Sequence, residues 1–266
     1  MRLVRLPRVP AILNPGRGRR KFDFSAPTAA PQLSPYVEHY WIVNWDLRGQ
    51  EPYEQRVLPY PAVNVTFKPG RCRIAGVVTG PFHEVLEGAG RVFGVRFRPG
   101  GFHPFLGAPV STITGRYVPV GTVFGDDLAE RILTANDQDA VREMDVFLSE
   151  RAPEQPAPAA ELAAAVVARA ADDTGITRVD DLAREFSVGV RQLQRLFAEY
   201  IGVSPKWVIR RARLHEASDR IQAGTPVDLG VLAAELGYSD QAHLTRDFTS
   251  MVGVPPASYR KAQDPS

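Results

Sequence analysis

Apolar residues recur along this chain with two different periods, and the change from one to the other divides it. Between Leu33 and Pro99, the stretches 38–47, 62–68, 72–78 and 91–99 are rich in β-branched and aromatic residues and are punctuated by Gly and Pro, which is the pattern of strands. In the last of these, Val92, Gly94 and Arg96 alternate with Phe93, Val95 and Phe97, the two-residue period of a sheet with unlike faces. An antiparallel sheet or small barrel is expected. A short turn-helix at 101–107 follows, then two helices, 126–135 burying Leu128, Ile132 and Leu133, and 139–152 burying Val141, Met144, Phe147 and Leu148.

Beyond the segment 152–159, APEQPAPA, the strand period disappears. Three prolines among small and polar residues make that segment a stiff, extended linker, and the domain boundary is placed there. The helical signals that follow are dense. A helix is expected at 161–171, then one at 178–186 capped by Thr177, with Asp180 completing a capping box. The turn Ser187-Val188-Gly189 leads into a helix over 190–201 that ends at Gly202. Ser204 and Pro205 open a long helix to Ala223, stopped by Gly224. Thr225 and Pro226 start the next helix, which ends at Gly237, and Asp240 caps a helix over 241–253. A last short helix is expected at 255–262. The fold class is therefore α+β: an N-terminal antiparallel sheet or small barrel with trailing helices, then an all-α domain.

Within 190–201, Leu193, Leu196, Phe197 and Tyr200 fall on one helical face and Arg191, Gln194 and Arg195 on the other. An exposed face of Arg and Gln suits the major groove, since Arg bridges guanine and Gln bridges adenine with paired hydrogen bonds. A wet charged face has the same composition, so one helix alone decides nothing. The pattern recurs, however. With Leu193 set against Leu244, Phe197 falls on Phe248, Arg195 on Arg246, Gln194 on Thr245, and Gly202-Val203-Ser204-Pro205 on Gly253-Val254-Pro255-Pro256. Each copy is a helix, a tight turn and a second helix, the order of a helix-turn-helix. The helix between them, Pro205 to Ala223, holds 19 residues, about 28 Å at ~1.5 Å per residue. Successive major grooves on one face of a duplex lie about 34 Å apart.

Composition narrows the classes. The chain has 266 residues, a net charge of +2 and one cysteine, Cys72, which leaves no internal disulfide and no multi-cysteine zinc site. No apolar run approaches a membrane span of about 20 residues, and the start lacks the apolar core of a secretory signal. A cytoplasmic protein, associated with the nucleoid when bound, is expected. Residues 1–22 carry seven basic side chains and no acidic one, as a mobile arm would. From Ala157 onward, 13 Lys and Arg face 14 Asp and Glu, so the positive charge of the helical half is local rather than general.

Residues 160–262 resemble the C-terminal DNA-binding domain of AraC/XylS-type transcriptional regulators. The resemblance is carried by LAREFSVGVRQLQRLFAEYIGVSPKWVIRRARLHEA and by LAAELGYSDQAHLTRDFTSMVGVPPASYRK, of which GYSDQAHLTRDF followed by PPASYRK is the more specific. It implies regulation of transcription through sequence-specific contact with double-stranded DNA, with RNA polymerase as a further partner. It also implies that Arg191, Gln194 and Arg195, with Gln192 beside them, and Ala242, Thr245 and Arg246 reach bases. Gln241 and His243 would touch bases or phosphates. Ser187 and Gly189 are unusual choices at the first turn. The stretches LPYPAVNVTF and GVRFRPGGFHPFLG more loosely resemble the sensing or dimerising domain of some of these regulators, which implies a small-molecule effector or a homodimer without naming either.

Against this stand a cupin-like metal enzyme and a purely structural dimerisation module for 23–151. His39, His83 and His103 are the candidate ligands, but no His-x-His pair occurs, so no metal or cofactor and no catalytic residue is assigned. The aromatics Tyr40, Trp41, Trp45, Phe67, Phe93 and Phe97 either line a pocket or form the core.

Overall fold

A computed structural model describes residues 21–223 and 227–261. The arm expected at 1–22 falls almost wholly outside these residues, as do Gly224, Thr225 and Pro226. The N-terminal half contains β1 (Asp23–Ser25), β2 (Val37–Asp46), β3 (Tyr53–Val57), β4 (Asn64–Phe67), β5 (Arg73–Ala75), β6 (Phe82–Leu86), β7 (Ala89–Phe97) and β8 (Tyr117–Pro119). Interspersed and trailing are α1 (His103–Leu106), α2 (Gly121–Phe124), α3 (Asp127–Thr134) and α4 (Asp137–Ser149). Two 3-10 turns, Pro31–Leu33 and Val110–Ile113, complete it.

All the strand pairs are antiparallel: a sheet in the order β1-β2-β7-β4-β5-β8, and a separate two-stranded sheet, β3-β6. The larger sheet has two distinct faces. Tyr40, Ile42, Val65, Phe67, Ile74, Phe93, Val95 and Phe97 point to α3 and α4, where Leu128, Ile132, Ala140, Met144, Phe147 and Leu148 close the core. Leu133 and Val141 are only half-buried, packed against the core from its edge, and Ala140 stands in the core beside Met144, Phe147 and Leu148. The opposite face carries Trp41, Val43, Trp45, Asn64, Thr66, Arg73, Ala75, Val92 and Arg96, and β3 and β6 lie across it. The short polar strands β1, β3, β6 and β8 are absent from the pattern-based reading, since strands such as YEQRV lack a continuous apolar period.

The helical half contains α5 (Pro158–Asp172), α6 (Val179–Glu185), α7 (Val190–Leu196), α8 (Pro205–Gln222), α9 (Leu229–Glu235), α10 (Gln241–Val252) and α11 (Pro256–Lys261). Thr177 does not cap α6: Arg178 stands at the cap with no side-chain hydrogen bond, so the expected capping box is not formed. Asp228, whose carboxylate accepts from the Gly230 and Val231 amides, caps α9. Ser204 caps α8 by accepting from the Trp207 amide at 3.2 Å, and Asp240 caps α10 by accepting from the His243 amide at 2.7 Å. Helix α8 runs through two apolar clusters. Its Val208 and Ile209 join α5, α6 and α7, while its Leu214, Ala217 and Ile221 join α9, α10 and α11. Among the described residues no helix is long and apolar enough to cross a membrane.

Candidate nucleic-acid interface

Two helix-turn-helix units share α8 as a common wall. In the first, α6 leads through a turn to α7; in the second, α9 leads through a turn to α10. Both turns close identically. The Val188 amide donates to the Ala183 carbonyl at 2.9 Å, and the Tyr238 amide to the Ala233 carbonyl at 2.8 Å. Both hold one residue in the left-handed region, Ser187 at φ 54° and Gly237 at φ 69°. Glycine adopts that conformation without strain; serine does not. The second turn is one residue longer, and it ends on an acidic cap, where the first ends on Gly189 without a side-chain cap.

The solvent-facing residues of α7 are Arg191, Gln192, Gln194 and Arg195, all exposed, while Leu193 and Phe197 are buried. The helix expected to run to residue 201 is α-helical to Leu196 and then widens into a π turn, Phe197–Ile201, closed by the Gly202 amide donating to the Phe197 carbonyl at 2.7 Å. On α10, Gln241, Ala242 and Arg246 are exposed, and Thr245 is half-buried. His243 is half-buried and turned toward the preceding turn, its Nδ1 3.2 Å from Ser239 Oγ and its ring edge-on to Tyr238.

Charge pairing is uneven across the helical half. Arg169, Arg184, Arg210 and Arg220 are neutralised by Asp or Glu within their own domain. Arg191 and Arg195 make no ion pair among the described residues. Arg246 lies near enough to Asp240 to add to the lowering of that carboxyl's pKa, whose main cause is the hydrogen bond from the His243 amide.

The basic cluster on α8 does not face solvent. Arg210 reaches back to Asp247 of α10 at 2.9 Å. The Arg213 guanidinium lies 3.8 Å over the Tyr238 ring, and burial pushes the Tyr238 hydroxyl up to about 12. Arg211 points into the N-terminal half, where its Nε donates to the Pro59 carbonyl at 2.8 Å, and burial pulls its pKa down to about 10.

A second candidate site lies in the N-terminal half. Between the large sheet and the β3-β6 pair is a cavity of about 230 Å³. Its floor is built from Trp41 and Trp45, each lying flat across its strand partner on β7, Gly94 and Gly90. A Cβ on either glycine would fall inside the indole. Trp41 and Trp45 are thus the pocket aromatics, while Tyr40, Phe67, Phe93 and Phe97 are core. The sequence holds the signal for this floor in the matching four-residue spacing of Trp41/Trp45 and Gly90/Gly94, which pattern reading passed over. His39 and Arg96 form part of the wall, and His39 is held below its ordinary pKa, first by burial and then by the Arg96 charge. His39, His83 and His103 stand on β2, β6 and α1, and among the described residues no group of three or more His, Cys, Asp or Glu is placed to hold a metal. His103 instead meets Glu199 at 2.8 Å. Cys72 is half-buried, its thiol pKa raised by burial.

Residues 182–262 match the family described as a helix-turn-helix domain, and residues 26–119 match a domain of unknown function, DUF6597. The HTH-type transcriptional regulator ExsA of Pseudomonas aeruginosa is 27% identical over 88 residues, 33% of this chain and 31% of ExsA. The HTH-type transcriptional regulator YfiF of Bacillus subtilis is 29% identical over 83 residues, 31% of this chain and 26% of YfiF. The chain therefore spans less than a third of the length of the curated relatives it matches. Among solved structures, ToxT of Vibrio cholerae is similar at 15% identity over 92% of this chain and 95% of ToxT, with a TM-score of 0.39.

Proposed function

We propose that this chain, which carries an AraC-type helix-turn-helix domain at residues 182–262, reads a bipartite DNA site with α7 and α10 and is modulated by a small apolar molecule in the N-terminal cavity. The observation that carries the reading is the repeated arrangement. Two helices with exposed Arg and Gln side chains are held by one buried wall, and Arg191 and Arg195 have no acidic partner among the described residues. Helix α8 has 18 residues, about 27 Å at ~1.5 Å per residue, of the same order as the ~34 Å between successive major grooves. Arg191, Gln194, Arg195 and Arg246 are the direct base contacts, with Gln192, Gln241 and Thr245 at the groove edges. Ala242 offers a methyl suited to a thymine methyl. His243 serves chiefly to fix the turn. Arg211 and Arg213, buried on α8, contact no phosphate.

The domain limits follow from this reading: a sensing domain over 23–151, a linker over 152–159 whose last two residues, Pro158 and Ala159, already open α5, and the DNA-reading domain over 160–262. RNA polymerase and a second copy of the chain are the further partners. The test is selection of duplexes from a random pool by the full chain. A bipartite consensus, with affinity falling steeply as salt rises, is expected. Failure to enrich any sequence would overturn the reading.

A further inference from the structure

Leu58, Pro59 and Tyr60 link the two halves of the molecule. All three line the N-terminal cavity. Leu58 is also fully buried in the apolar cluster of the second helix-turn-helix, beside Leu214, Leu232, Leu236 and Tyr238. Pro59 accepts the Arg211 hydrogen bond at 2.8 Å. The Tyr60 ring lies between two guanidiniums, with Arg96 of the cavity wall at 3.9 Å and Arg211 of α8 at 4.8 Å from its centroid. Arg96 in turn meets Glu38 on β2 at 3.1 Å. Arg96 and Arg211 are each 5% exposed.

Two buried arginines around one tyrosine are a costly way to join two domains. An apolar contact of the same volume is often as stable or more so. What the charged arrangement adds is position: a guanidinium that stacks on a ring and donates to one carbonyl admits few geometries. Arg211 is followed two residues later by Arg213, which stacks on Tyr238 in the turn of the second unit, and preceded by Arg210, which holds Asp247 of α10. Tyr60 is thereby in contact with the helix that positions α10.

We propose that Tyr60 and Arg211 are positioning residues that transmit occupancy of the cavity to the second helix-turn-helix, Tyr60 moving with whatever fills the cavity and Arg211 carrying that movement into α8. This rests on the reading of the cavity as an effector site. The first unit is joined to the N-terminal half elsewhere. The Thr114 hydroxyl donates to the Gly202 carbonyl, and His103 meets Glu199. Filling the cavity thus shifts α10 relative to α7, which changes the spacing of the two readers.

The experiment is hydrogen–deuterium exchange on the full chain without DNA. Ala75→Trp fills the cavity from β5 and Thr66→Phe fills it from β4. Each is made alone and together with Arg211→Met, which removes the guanidinium and keeps a long apolar side chain. Filling should change amide exchange in α9 and α10 by about fivefold or more, the lower end of typical coupling between sites. In the Arg211→Met background the same filling should change it less than about twofold. Unchanged exchange in α9 and α10 of a folded filled variant overturns the proposal, as does a change of equal size in both backgrounds. If neither filled variant folds, 8-anilinonaphthalene-1-sulfonate added to the unsubstituted chain and to the Arg211→Met chain fills the cavity, and the same two comparisons decide. Because DNA is absent, the result is separable from the functional reading. Exchange that moves through Arg211 while affinity for the selected duplex stays constant upholds the relay and removes the effector modulation.

Discussion

The guanidinium of Arg210 lies 2.9 Å from the carboxylate of Asp247, joining the helix between the two motifs to the second solvent-facing helix. The pair is largely shielded, and Arg210 also donates to the Ser250 hydroxyl. Asp247→Ala should destabilise the second motif by up to about 1 kcal/mol, in the range of partly exposed ion pairs. Arg210→Ala added to it should cost little more, since the two residues act as one unit. Urea denaturation of the four proteins of that cycle measures the coupling.

Ser187 occupies a left-handed position that Gly237 fills in the second motif. Ser187→Gly should stabilise the chain by about 1 kcal/mol, the cost of that conformation for a residue with a Cβ. A lower melting temperature for the glycine variant would show that the serine side chain contributes more than the strain removes.

Much of the helical half was legible in the sequence, because its information is local. Asp240, Ser204, Gly202 and Pro205 are signals that a few neighbouring residues interpret, and each stands where the sequence places it. Thr177 does not cap α6, because the helix begins at Val179 and puts Arg178 at the cap position. In the N-terminal half the long strands β2 and β7 announced themselves through aromatic and β-branched residues. The β3-β6 pair did not, because the polar Gln55 and Glu84 stand on its cavity-facing side and break the apolar alternation. Arg211 lies in the long helix with no sequence signal that it is buried. Its burial depends on Pro59 and Tyr60, some 150 residues earlier, a separation no periodicity reports.

Gly94 is the strand partner of Trp41, and a Cβ there would overlap the indole. Gly94→Ala should displace the ring into the cavity and cost about 1–3 kcal/mol, as overpacking does. Trp fluorescence should change with it, while Gly189→Ala, in open space at an ordinary φ of −73°, should leave the fluorescence unaltered.

Asp240 carries the N-terminal cap of α10, and the His243 amide holds its carboxyl below the ordinary value of 3.8. The folded pKa is depressed, so its stabilising contribution is present above the ordinary carboxylate pKa and is lost as pH falls through the lowered one. Amide protection at the start of α10 should therefore weaken below about pH 4 in the native chain. Asp240→Asn should retain a cap and lose that pH dependence, and Asp240→Ala should lose the protection at every pH. Exchange measured across an acid titration distinguishes the three.

The central claim, that α7 and α10 read one site together, is tested most directly by guanine-methylation interference on the selected duplex. The full chain should show two groups of interfering major-groove guanines about one helical turn apart. Arg195→Ala should abolish interference in one group and Arg246→Ala in the other, each lowering specific affinity by about 1–3 kcal/mol. A single group of interfering guanines, or two groups that both survive each substitution, would contradict the account.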